Sequence, residues 1–150
     1  MTYAVRKTYG HDLGLSCVFR QWRGTSHCRH LHGYALGFSF TFVADELDEN
    51  GWVIDFGGLK VLKQYLVATF DHRLVIARDD PHAHHIMRLG QIAMDAASPI
   101  LVDHTGCESF AAMAGGYAAA LATEITQGRA TLKTAECREH GANAAYWRPS

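Results

Sequence analysis

From Tyr34 to Ala44 the chain alternates without interruption, with Leu36, Phe38, Phe40 and Phe42 on every second position. Successive side chains of an extended chain face opposite ways, so the segment reads as a strand with one wholly apolar face, and the rest of the molecule must cover it. Directly before it stands Cys28-Arg29-His30-Leu31-His32-Gly33-Tyr34. A thiol therefore lies four residues ahead of an imidazole at the mouth of a strand, and His32 and Tyr34 share the side that carries the phenylalanines.

The remaining pattern supplies partners for this strand. Leu13 to Trp22 reads as a strand with Leu15, Cys17 and Phe19 on one face, separated from the next by a polar, histidine-bearing loop. Asp45 to Asn50, closed by Gly51, reads as a hairpin turn, after which Trp52-Val53-Ile54 returns as a short strand and Asp55 is placed to cap a helix. Leu59, Leu62, Leu66 and Phe70 recur at helical spacing, which predicts a helix over Phe56 to Phe70 with Asp71-His72 just past its end. Asp79-Asp80-Pro81 breaks the chain, His84 to Ala97 reads as a second helix, and Ile100-Leu101-Val102 as a short extended piece. Phe110, Met113, Tyr117, Leu121 and Ile125 mark a long alanine-rich helix from Glu108 to Thr126, ended by Gly128. Strands over Ala130 to Arg138 and Asn143 to Trp147 complete one domain over residues 1–150. The expected architecture is α+β: a four-stranded antiparallel sheet with helices packed on one face. Its uncovered face and edges predict association into a ring or barrel.

Composition bounds the partners. The chain is 48% hydrophobic and 19% charged, with 14 basic and 15 acidic residues giving a net charge of -1, so no nucleic-acid or membrane partner is expected. The N-terminus shows no apolar signal core and no segment has the length of a membrane span, which predicts a cytoplasmic protein. Cys17, Cys28, Cys107 and Cys137 lie far apart and read as free thiols. Ten histidines are a surplus that hints at metal or acid-base chemistry, although His82, His84 and His85 read as a solvated loop.

Several separated segments, taken in order, resemble the 6-pyruvoyltetrahydropterin and 6-carboxytetrahydropterin synthase family, which has the tunnelling fold. Cys28 to Tyr34 is similar to its Cys-x-x-x-His-Gly-His motif, Gly51 to Phe56 to its Gly-x-Val-x-Asp-Phe segment, and Asp71-His72 to its Asp-His pair. Gly106-Cys107-Glu108 echoes a Pro-Thr-x-Glu helix start, and Glu136-Cys137 a late Glu-Thr strand, with Tyr146 near the end. The resemblance implies trimers and hexamers with sites between subunits. It implies an enzyme of the lyase type acting on 7,8-dihydroneopterin triphosphate, with a 6-carboxytetrahydropterin product that feeds 7-deazaguanine (queuosine-type) biosynthesis. The alternatives are a 6-pyruvoyltetrahydropterin synthase and, from a different class, a metal-free, non-catalytic module that binds a pterin or purine.

By the same resemblance Cys28, Asp71 and His72 are the catalytic proton-transfer group. Arg29, His27, His30 and His32 surround the thiol with basic groups, and a carboxylate beside an imidazole fixes its tautomer. Glu136 is the expected pterin anchor, accepting hydrogen bonds from the 2-amino group and ring N3-H, with Glu108 in support. Arg20, Arg23, Arg29 and Lys7 are candidates for anion contacts. The family's zinc is implied at three histidines, of which only His32 is present: Phe19 and Tyr34 stand at the other two positions. One remaining ligand cannot hold zinc, so the sequence predicts an altered or absent site, with His27 and His30 as the leading replacement ligands and His11, Cys17 and His140 as further ones.

Overall fold

In the computed structural model, which describes residues 1–95 and 98–150, the phenylalanine-bearing segment is the spine of the sheet. The elements in order are β1 (Tyr3–Tyr9), β2 (Leu15–Phe19), β3 (His32–Ala44), α1 (Lys60–Phe70), β4 (Arg73–Ala77), α2 (Ala83–Ala93), β5 (Pro99–Val102), α3 (Cys107–Thr126), β6 (Thr131–His140) and β7 (Asn143–Trp147). Strand β3 is long enough to pair with β1 and β2 along one edge and with β6 along the other, all antiparallel. The sheet order among the described residues is β5-β4-β2-β3-β6-β7, with β1 also on β3.

This corrects the expected four-stranded antiparallel sheet. There are seven strands among the described residues, and the sheet is mixed, because β2 pairs parallel with β4 and β4 parallel with β5. Helices also cover both faces at that end. Val75 of β4 joins the main core, whereas its neighbours Leu74 and Ile76 pack with Ile86 of α2 on the other side. A parallel connection needs a covering crossover, and α1 and α2 supply the two here.

Under β3, Phe38, Phe40 and Phe42 are essentially inaccessible and meet Leu62, Leu66 and Phe70 of α1 and Phe110 of α3 in one core. Each fully buried leucine or phenylalanine stabilises the fold by about 2 kcal/mol. Asp55 does cap, its Oδ1 accepting from Gly57 N at 2.7 Å, but it starts a 3-10 turn over Phe56–Leu59 that leads into α1. Helix α3 departs from the expected stripe. Ala111, Ala114, Gly115, Ala118 and Ala122 form its buried line beside Phe110 and Leu121, while Ile125 is exposed. Small residues let α3 lie close on β6 and β7: a Cβ on Gly115 would run into the Trp147 ring.

No strand forms at Trp52–Ile54. Asp48 Oδ1 accepts from Asn50 N (2.9 Å) and Trp52 N (2.8 Å), and Arg129 donates to the carbonyls of Glu46 (2.8 Å) and Val53 (2.9 Å). These bonds satisfy the backbone that a ladder would otherwise use, so the segment is a clamped loop and not a hairpin. The backbone N–H of Trp52, foremost, holds the Asp48 carboxyl below its ordinary range. The second helix is α2, ending at Ala93, and residues 96 and 97 of its expected span lie outside the described residues.

Candidate active site

The Cys28 loop is built by local bonds and braced by a buried ion pair. Ser26 Oγ accepts from Cys28 N at 3.3 Å, and the Cys28 carbonyl accepts from Gln21 N at 2.8 Å. Beneath the loop Arg20 grips Asp80 through Nε (2.7 Å) and Nη2 (2.6 Å), while Nη1 reaches the Arg29 carbonyl (3.4 Å). Asp80 is 5% exposed, and the Arg20 guanidinium holds its carboxyl below the usual range. Arg20 is thus a brace and not an anion contact, and Arg23 likewise pairs with Asp79.

Cys28 opens onto a cleft of about 350 Å³ bounded by Gln21, Cys107, Glu108, Glu139 and the β6–β7 turn. Cys107 and Glu108 begin α3, so the cleft sits against the positive end of a 20-residue helix. Cys137, inside the sheet, hydrogen-bonds the Cys107 thiol and holds it below the ordinary thiol range against the opposing effect of burial. The same contact and burial push Cys137 up. Tyr34 is also raised, first by burial and then by the negative charge of Glu139, Cys28 and Cys107.

Of the expected site residues, the structure brings Cys28 and Glu108 together and leaves Glu136 elsewhere. Cross-strand neighbours of Glu136 are Ser39 and Tyr146, on the sheet face that points away from α3, and its carboxylate is paired with Arg138. The β6 carboxylate in the Cys28 cleft is Glu139, which sequence reasoning missed together with Cys107. A signal was present: Ala135, Cys137 and Glu139 share one parity, and the first two are core.

Asp71 and His72 do pair. Asp71 leaves α1 in extended conformation and His72 adopts φ +54°, a turn that allows Nδ1 of His72 to meet Oδ1 of Asp71 at 2.7 Å. The His72 side chain is 82% exposed. The backbone N–H of His72 donates to the Ser16 carbonyl (2.6 Å), at the start of β2, whereas Gln21 and the Cys28 cleft lie past the end of that strand. Five extended residues span about 15 Å, so the dyad and the thiol of one chain face different ends of the sheet.

The family profile described as 6-pyruvoyl tetrahydropterin synthase matches residues 11–149, nearly the whole chain. The chain belongs to that family. Among curated relatives, the 6-carboxy-5,6,7,8-tetrahydropterin synthase of Rickettsia typhi is 43% identical over 54 residues, 35% of this chain and 39% of the relative. The Rickettsia felis protein of the same name is 39% identical over the same length. The match thus takes in about two fifths of these relatives. Among solved structures, an uncharacterised protein of Wolinella succinogenes superposes with a TM-score of 0.79 at 19% identity, covering 100% of this chain and 99% of that one. The Plasmodium falciparum 6-pyruvoyl tetrahydropterin synthase superposes with a TM-score of 0.68 at 14% identity, covering 99% and 98%. These likenesses show the fold.

The zinc site of the 6-pyruvoyl tetrahydropterin synthase family does not fit the residues here. His32 Nδ1 is held by the His30 carbonyl (2.6 Å), and Nε2 is enclosed with no hydrogen-bond partner among the described residues. The rings around it belong to Phe19 (5.0 Å between centroids) and Tyr34 (5.4 Å). A phenyl ring donates nothing to a cation and a neutral phenol little, and no three His, Cys, Asp or Glu side chains converge among the described residues. His27 and His30 lie beside each other, 6.2 Å between ring centroids, and are exposed.

Proposed function

We propose that the protein is a 6-carboxytetrahydropterin synthase-like enzyme that acts on the side chain of a dihydropterin, 7,8-dihydroneopterin triphosphate, by proton transfer. The observation that carries this reading is the cleft in which Cys28 faces two carboxylates, Glu108 and Glu139, from different elements. One carboxylate can accept from the 2-amino group and N3-H of a pterin, and the thiol is then presented to what the ring carries. The name of the Rickettsia relatives supports the carboxytetrahydropterin product, which in this reading feeds 7-deazaguanine formation.

In this reading the site is shared between subunits. Asp71-His72 projects from its own chain at the far end of β2 and completes the Cys28 cleft of a neighbouring copy, Cys28 and His72 serving as the two proton-handling groups on opposite sides of the substrate. Open edges favour such an assembly: β1 bonds only β3 among the described residues, and beside it Tyr3, Leu47, Trp52 and Phe56 leave an apolar cleft of about 510 Å³. A trimer or hexamer closed into a barrel would cover both.

The test is turnover of 7,8-dihydroneopterin triphosphate by the purified protein, followed by mass spectrometry with and without added divalent metals. The expected result is a carboxytetrahydropterin product, lost by a factor of about 100 or more in Cys28→Ala. Unchanged substrate under every condition contradicts the enzyme reading. The replacement of two metal-ligand positions by Phe19 and Tyr34 favours a second reading, a non-catalytic module that binds a pterin or purine. Tight pterin binding without turnover is its signature.

A further inference from the structure

The face of the sheet away from α3 carries a row that neither the cleft nor the core uses. Arg6 of β1 stands directly opposite Thr41 of β3, and Thr41 opposite Thr134 of β6. Trp147 is opposite Ala135, so Arg148, the next residue, falls beside Thr134. The order thus reads Arg6, Thr41 and Thr134 across three strands, with Arg148 directly after the end of the fourth. Beside it runs a second row of Thr8, Ser39, Glu136 and Tyr146.

Adjacent strands lie about 4.8 Å apart, which puts the two arginine backbones about 14 Å from each other, and two guanidinium stems can bridge that gap from either end. Both arginines border a depression of about 150 Å³ whose floor is Ser39, Thr41 and Thr134. The carboxylate among its described lining residues, Glu136, is already paired with Arg138. Neither Arg6 nor Arg148 has an ion-pair partner among the described residues. Two uncompensated guanidinium groups over hydroxyl donors form a surface that attracts an anion with several acceptor oxygens.

We infer that this face binds an oxyanion of the phosphate class, held between Arg6 and Arg148 over the Thr41 and Thr134 hydroxyls. The site lies on the opposite side of the sheet from Cys28 and does not depend on the enzyme reading. Its chemistry is common to free inorganic phosphates and to the phosphate chain of a larger molecule.

Inorganic pyrophosphate titrated calorimetrically into the full-length chain at low salt is the probe. Saturable binding is expected, weakened roughly tenfold or more in Arg6→Ala/Arg148→Ala and partly kept in Arg6→Lys/Arg148→Lys, which retains charge without the fork. Glu108→Ala, in the cleft, should bind pyrophosphate as the parent does. Competition by a nucleoside triphosphate would place a phosphate chain on the face, and its absence a free anion. No saturable binding, or equal binding by the double alanine variant, would overturn the inference. Circular dichroism of each variant confirms that the fold is kept.

Discussion

Glu136 and Glu139 lie three residues apart on one strand and point to opposite sides of the sheet. The resemblance to a Glu-Thr motif favours Glu136 as pterin anchor, whereas strand parity delivers Glu139 to Cys28. Measured side by side, Glu139→Ala should weaken pterin binding about tenfold or more and Glu136→Ala much less. The reverse order would return the anchor to Glu136. His72 was legible as one half of a dyad, but its left-handed backbone was not, since nothing in the residue type demands it. Glycine adopts that conformation freely, so His72→Gly should hold or raise stability by up to about 1 kcal/mol while removing the imidazole from the chemistry. A melting temperature several degrees lower would contradict this.

Asp80 shows why a reading confined to residue types could not place Arg20. Its carboxylate is nearly inaccessible and bonded twice by that arginine, which a surface-anion assignment misses. The sign of its pH effect follows from its depressed folded value. The contribution is complete above the unfolded carboxyl value of about 4 and disappears as the pH falls through the lower folded value. Asp80→Asn should cost about 3 kcal/mol near neutrality and flatten the acid limb of a stability–pH curve. An unchanged acid limb would sink the assignment.

At the level of elements, long periodic segments were readable and short ones were not. The leucines of α1 and the phenylalanines of β3 repeat often enough to reveal their period, and all are buried as expected. Strand β4 offers only the unbroken run Leu74-Val75-Ile76-Ala77, buried on both faces, which has no period to detect. In β1 the alternation is broken by Lys7, whose ammonium lies over the Tyr9 and Phe56 rings. The strand expected at Trp52–Ile54 lost its backbone bonds to Asp48 and Arg129. The tight approach of α3 gives a paired prediction. Gly115→Ala should destabilise by about 1–3 kcal/mol through overpacking against Trp147 and Ala135, outweighing the gain in helix propensity. Gly116→Ala, which meets nothing within 4 Å, should stabilise slightly. Chemical denaturation of the two variants separates packing from propensity, and equal shifts would contradict the close contact.

For the whole molecule, the Asp71-His72 pair stands at the start of β2 and the Cys28 loop past its end, and the proposed site joins the two across a subunit boundary. The α+β class, the family and the pairing of Asp71 with His72 could be read from the sequence. The parallel end of the sheet and the separation of the dyad from Cys28 could not, because they depend on which strands become neighbours. Two inactive variants test the shared site most directly. Cys28→Ser and His72→Ala chains, each dissociated and then reassembled together, should recover turnover of 7,8-dihydroneopterin triphosphate. If chains mix at random, roughly a quarter of the sites regain both groups, and activity should approach that fraction of the parent. Mixed assemblies that form but stay as inactive as either variant alone would contradict a Cys28 cleft completed by the neighbour's His72.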